Sequence, residues 1–158
     1  MRCSFPKSAV NGEICAMHVR IFEERDTDAV VGLWQACGLT RPWNNPHLDI
    51  QRKVSFQPDL FFVGELGGAV ISSAMFGYDG HRGWLNYFAV HPDHQGKGYS
   101  KILLEHGKTA LLALGCPKIN FQVRSDNHKA IAYYLANGYT QDDALSYGKR
   151  LIVDGPKG

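Results

Sequence analysis

At 158 residues the chain can build one full hydrophobic core but not two comfortable domains. Hydrophobic residues make up 44% and charged residues 20%, and a formal charge of +2 argues against nucleic acid or a membrane surface as partner. Cys3, Cys15, Cys37 and Cys116 lack metal or redox spacing, and no apolar run nears the roughly 20 residues that span a bilayer, so a cytoplasmic protein with reduced thiols is expected.

Residues 1–16 carry Gly, Ser and Pro without periodicity and precede Met17. They read as a loose N-terminal extension, or as translated sequence upstream of a start at Met17, and they lack the apolar core of a signal peptide. A single domain is expected over 17–158. His18 to Phe22 is strand-like. Capped from Asp26 to Asp28, the next segment places Val30, Leu33, Trp34 and Cys37 at helical spacing until Gly38 stops it. Asn45 before Pro46 predicts a second helix to about Phe56, with a thin apolar face of Ile50 and Val54. Leu60 to Glu65 and Ala69 to Tyr78 read as strands joined at Leu66-Gly67-Gly68, and the turn Asp79 to Gly83 leads into a third.

That third strand, Trp84 to Val90, runs into Pro92, which cannot donate to a ladder, and then into Gln95-Gly96-Lys97-Gly98-Tyr99-Ser100. A long helix with Leu103, Gly107, Ala110 or Leu111, and Leu114 on one face follows, stopped by Gly115 and Pro117. Lys118 to Val123 is strand-like, and Asp126 or Asn127 caps a fourth helix that ends at Gly138. One or two closing strands are expected from Tyr139 to Val153. The order is that of an α/β (α+β) chain with a mixed central sheet of about six to seven strands and about four helices.

The glycine loop ends at a helix start, where free N–H groups and the helix dipole favour a phosphate, and Lys97 and Lys101 add charge. A dinucleotide fingerprint fails because the position three beyond Gly98 is Lys101. A Walker loop ending at Gly107-Lys108-Thr109 fails because Ile102 stands where glycine is required. Gln95 to Ser100 instead resembles the Q/R-x-x-G-x-G/A loop of the GCN5-related N-acetyltransferase (GNAT) superfamily, with Ser100 at the last small position. Asn127-x-x-Ala130-x-x-x-Tyr134-x-x-x-Gly138-Tyr139 resembles that family's second motif. Arg41 to Asn44, Tyr78 to Gly83 and Gly115 to Ile119 further resemble a bacterial subgroup, the YpeA-like acetyltransferases.

The resemblance implies a GNAT fold and direct transfer of an acetyl group from acetyl-CoA to a primary amine, with no metal. The alternative is a non-catalytic acyl-CoA-binding or sensing module. Backbone of Phe88, Ala89 and Val90 would pair with the pantetheine arm and polarise the thioester. Gln95, Gly96, Lys97, Gly98, Tyr99 and Ser100 would take the pyrophosphate, with Asn127 counted among the cofactor-binding residues. Tyr134 would protonate the leaving thiolate, a phenol of pKa about 10 against a thiol of about 8.5; its other reading is a core aromatic, and Tyr133 reads as packing. Gln122 stands where some relatives carry a basic glutamate, which leaves Asp79, His81, Asp126 or water as the proton acceptor. Weak base machinery leans towards an amine of low pKa. The acceptor would be a small molecule or peptide held by Arg41, Trp43 and Asn44 facing Asp79, His81 and Arg82. Arg41 and Arg82 point to an anionic group on it, such as a carboxylate, or are ordinary surface arginines. His91 and His94 have no third metal ligand nearby. Pairing of two copies as a homodimer stays open.

Overall fold

The computed structural model describes residues 16–155. Its sheet has five strands in sequence order: β1 (His18–Ile21), β2 (Phe61–Leu66), β3 (Ala69–Tyr78), β4 (Gly83–Val90) and β5 (Ile119–Phe121). The first three pairings are antiparallel and β4 with β5 is parallel, so the sheet is mixed. Four helices accompany it: α1 (Thr27–Ala36), α2 (Pro46–Ser55), α3 (Tyr99–Ala113) and α4 (His128–Ala136). The expectation for the N-terminal extension lies outside the described residues except at its edge. There, Met17 is buried in the core.

Alternation along the strands divides the core between the two sheet faces. Phe61, Val63, Met75 and Ala89 pack with Trp34 and Ile50 of α1 and α2, while Phe62, Phe76, Leu85 and Val90 pack with Leu103, Leu104 and Leu111 of α3. Trp34 is fully buried, and its indole N–H is satisfied by the Ser73 hydroxyl at 2.9 Å, which removes the cost of an orphan donor. Asn45 caps α2 as its sequence requires, accepting from His47 and Leu48 N–H at 3.1 and 3.3 Å. Asn127 caps α4 in the same way, accepting from Ala130 N–H at 3.2 Å.

Strand β3 outruns its partner, since Phe61 pairs with Met75 and nothing on β2 reaches Phe76 to Tyr78. Side chains complete the ladder there. The Lys53 ammonium donates to Phe76 O at 2.5 Å, while the Gln57 amide donates to Tyr78 O at 2.7 Å and accepts from Tyr78 N at 3.0 Å.

The closing strands do not form, which corrects the expected six to seven strands to five among the described residues. Leu145, Tyr147, Leu151 and Val153 suit a strand by type, yet each is at least 81% exposed. Beyond Tyr139 no backbone–backbone hydrogen bond joins this segment to the described residues. Polar side chains hold it instead: Lys118 to Asp142 at 2.8 Å, Gln122 to Ser146, Arg150 to Asn44 at 3.1 Å, and Arg52 to Asp154 at 2.6 and 3.1 Å. β5 is likewise shorter than the six residues expected from 118 to 123, because it has β4 alone to pair with, and only briefly.

Candidate active site

Parallel pairing of β4 with β5 covers Gly83, Trp84 and Leu85 and then stops. From Asn86 to Val90 the edge of β4 that faces β5 has no strand beside it among the described residues. The divergence begins at a bulge, where Asn86 pairs with Met75 and Ala89 with Ser73, leaving one residue too many on β4. Tyr87 takes it up with φ of 49°, a left-handed conformation uncommon outside glycine. Its ring turns onto the α1 face and stacks on Trp34 at 3.8 Å, and its hydroxyl donates to Asp49 Oδ2 at 2.6 Å. Burial, then the Asp49 carboxylate, push the Tyr87 phenol above its ordinary range.

Past Val90 the chain makes one turn and enters the glycine loop. The Gln95 side chain folds back to donate to Val90 O at 2.9 Å, so the loop is pinned to the strand end and this side chain is not free for a ligand. Gly96 and Gly98 have φ of 75° and 85°, and a Cβ at either would meet nothing within 4 Å. These two left-handed turns present consecutive N–H groups from Gly96 to Lys101, which find no acceptor among the described residues. No acidic side chain lies in the first turn of α3. A run of free donors at a helix start, with Lys97 and Lys101, fits a pyrophosphate.

Tyr134 stands at the fork between β4 and β5. Its ring packs on Phe121, the last paired residue of β5, at 4.3 Å, with Tyr139 at 5.6 Å and Tyr133 at 5.3 Å. Burial, followed by the neighbouring Tyr133 and Tyr139 phenols, raises the Tyr134 pKa above its ordinary value of 10, so the group keeps its proton. Asn127 serves α4 as its cap, which places Tyr134 through the helix. Tyr133 does more than pack: its hydroxyl and that of Ser100 are 2.8 Å apart, joining α4 to the first turn of α3.

The expected acceptor residues separate into two groups at opposite ends of α2, whose ten residues span about 15 Å. Arg41, Trp43 and Asn44 precede its N-terminus. Asp79, His81 and Arg82 lie beyond its C-terminus, where Gln57 binds Tyr78. Asp79 closes the β3–β4 turn by accepting from His81 and Arg82 N–H at 2.8 and 2.7 Å, and these donors hold its carboxyl below the ordinary range. His81 is exposed beside Arg82 in the turn before β4, whose first residue, Gly83, is itself four residues or about 13 Å from Tyr87 at the bulge. The structure therefore does not bring His81 to the gap. Gln122 is bound to Ser146, and Asp126 stands exposed in the loop after β5. Trp43 is 52% exposed, with the Arg124 guanidinium over its ring at 5.8 Å.

Residues 19–139, well over half of the sequence, match the model of the acetyltransferase (GNAT) family. This chain belongs to the GNAT family. A relative from Yersinia enterocolitica described as an acetyltransferase is 46% identical over 138 residues, covering 87% of this chain and 98% of the relative. Among solved structures, the fold is similar to Ard1 from Thermoplasma volcanium, with a TM-score of 0.72 at 23% identity over 79% of this chain and 83% of that one. It is also similar to AAC(6')-Iy in complex with the bisubstrate analog CoA-S-monomethyl-acetylneamine, with a TM-score of 0.67 at 19% identity over 85% and 99%. As a GNAT acetyltransferase, the chain has a splayed β4–β5 pair, a donor-rich loop and a tyrosine at the fork.

Sequence reasoning passed over four features of this acetyltransferase site. The Tyr87 bulge carries no local signal, because tyrosine gives no hint of a positive φ. The Tyr133–Ser100 bond was findable in principle, since both residues lie in the two recognised motifs. Arg124 and Arg150 come from segments far from the turn at 41–44 that they meet, and only the fold unites them. No helix among the described residues is long and apolar enough to cross a membrane.

Proposed function

We propose that this acetyltransferase moves the acetyl group of acetyl-CoA directly to a primary amine of low pKa. The observation that carries the reading is the open β4 edge from Asn86 to Val90, followed after the single turn at Pro92–His94 by the free N–H groups of 96–101. Backbone of Phe88, Ala89 and Val90 would hold the pantetheine arm as a partial strand, with a β4 N–H near Phe88 or Ala89 on the thioester oxygen. Backbone from Gln95 to Ser100 would hold the pyrophosphate, each charge–dipole contact contributing roughly 0.3–1 kcal/mol. The amine attacks the thioester carbon, the C–N bond forms, the C–S bond breaks, and Tyr134 gives its proton to the departing sulfur. The attacking nitrogen releases its proton to water, since Gln122 is a neutral amide and His81 stands at the far end of β4. An α-amine of pKa about 8 is partly neutral at pH 7.5 and tolerates this arrangement, whereas a lysine near 10.4 does not.

The reading places the enzyme in the cytoplasm, without nucleic acid or membrane partners. The exposed Leu145, Tyr147, Leu151 and Val153 of the C-terminal segment support pairing of two copies, and sedimentation equilibrium at twice the monomer mass is the expected result. Release of free CoA over a panel of peptide N-termini, amino acids, polyamines and lysine peptides tests the transfer itself. Turnover with α-amines above lysine side chains supports the reading. Tight acetyl-CoA binding with no release across the panel would sink it.

A further inference from the structure

The turn at residues 41–44 carries Arg41 and is met by two arginines from distant parts of the sequence. Arg124, in the loop between β5 and α4, lies over the Trp43 ring at 5.8 Å. Arg150, in the C-terminal segment, donates Nη2 to Asn44 Oδ1 at 3.1 Å. Arg41 belongs to the turn itself, which Asn44 N closes onto Arg41 O at 3.1 Å. Consecutive residues thus seat two arginines, and a third stands two positions upstream.

Among the described residues none of the three is in an ion pair with a carboxylate. Two of the nearby acids are engaged elsewhere. Arg52 takes both oxygens of Asp154, and Asp49 is shared between Arg52 and the Tyr87 hydroxyl. Asp126, two residues past Arg124, makes no ion pair, and Lys149 adds a further cation beside Arg150. Arg124 makes no hydrogen bond among the described residues, which leaves its N–H groups free, and Arg150 uses one donor of five. A planar fork with free donors matches a carboxylate. The same turn lies near the gap, because Arg124 follows the end of β5 and Asp49, one turn into the helix that Asn45 caps, accepts from the Tyr87 hydroxyl at the bulge.

We infer that this turn receives a carboxylate carried by the acceptor, so that the acceptor class is an amine bearing a carboxylate, an amino acid or acidic peptide. Arg124 and Arg150 fill the role with Arg41, in place of Arg82 at the far end of α2. The inference rests on the acetyl-transfer reading for the amine but on its own observation for the anion. The other source of an anion is a phosphate of the donor.

Calorimetric titration of the CoA-loaded protein with glycylglycine and with glycylglycinamide compares one amine with and without the carboxylate. Wild type should bind the acid at least tenfold more tightly. In the R124Q/R150Q double variant that preference should fall to within twofold while acetyl-CoA affinity stays unchanged. Equal or unmeasurable binding of both probes by wild type overturns the inference, as does a preference that survives in the variant. Loss of acetyl-CoA affinity in the variant without any acid preference in wild type also overturns it and assigns the turn to a donor phosphate. Acid preference without CoA release from any amine leaves the anion site standing and refutes the transfer reading instead.

Discussion

Tyr134 keeps its proton because its ring lies among Phe121, Tyr133 and Tyr139, where a phenolate would be poorly solvated and close to two other phenols. A thiolate of pKa about 8.5 is a weaker base than the Tyr134 phenolate, so the raised value works against complete transfer and leaves the hydroxyl as a hydrogen-bonding proton donor to the departing sulfur. Replacing Tyr134 with Phe removes the hydroxyl and preserves the ring packing. The expected result is a kcat lower by about 10²- to 10³-fold with acetyl-CoA affinity within twofold, checked by steady-state kinetics and calorimetry. Since the phenol titrates above 10, the wild-type kcat should show no alkaline fall from this residue below about pH 10. Tyr87 differs in kind. Its hydroxyl is spent on Asp49 and its ring on Trp34, so it shapes the backbone that meets the donor.

Helix α3 lies tightly on β3 because Gly107 has no side chain: a Cβ there would lie 2.1 Å from carbons of the Phe76 ring. Gly107→Ala should therefore destabilise by about 1–3 kcal/mol through overpacking, read as a lower urea midpoint at unchanged slope. On the opposite face, α2 lends Lys53 to the overhanging end of β3. Burial lowers this ammonium from 10.5 to about 8. Between those two values the unfolded chain binds a proton that the folded chain does not, so this group makes stability rise with pH from about 8 to 10.5. Above pH 10 the opposite sign applies to Tyr87 and Tyr134, whose raised values make stability fall. Denaturation at stepped pH should show the Lys53 rise in wild type and lose it in Lys53→Met.

For the whole molecule, legibility followed the range of the chemistry. The Asn45 and Asn127 caps, the Gly67-Gly68 turn and the glycine loop are written in neighbouring residues and appear where expected. The closing strands were misread because alternation at Leu145, Tyr147 and Val153 states a preference without supplying a partner for it. The expected acceptor residues come apart for a related reason: the length of α2 separates Trp43 from His81, and no local pattern reports that distance. The Ser100–Tyr133 bond carries one more consequence of fold-scale geometry. Ser100 hangs from β4 through the loop and Tyr133 from β5 through α4, so the bond joins the two walls that the diverging strands leave apart. A bond across that gap would slow both the entry of the donor and the departure of CoA. Ser100→Ala should then speed both association and dissociation of acetyl-CoA in stopped-flow measurements, while their ratio stays nearly constant.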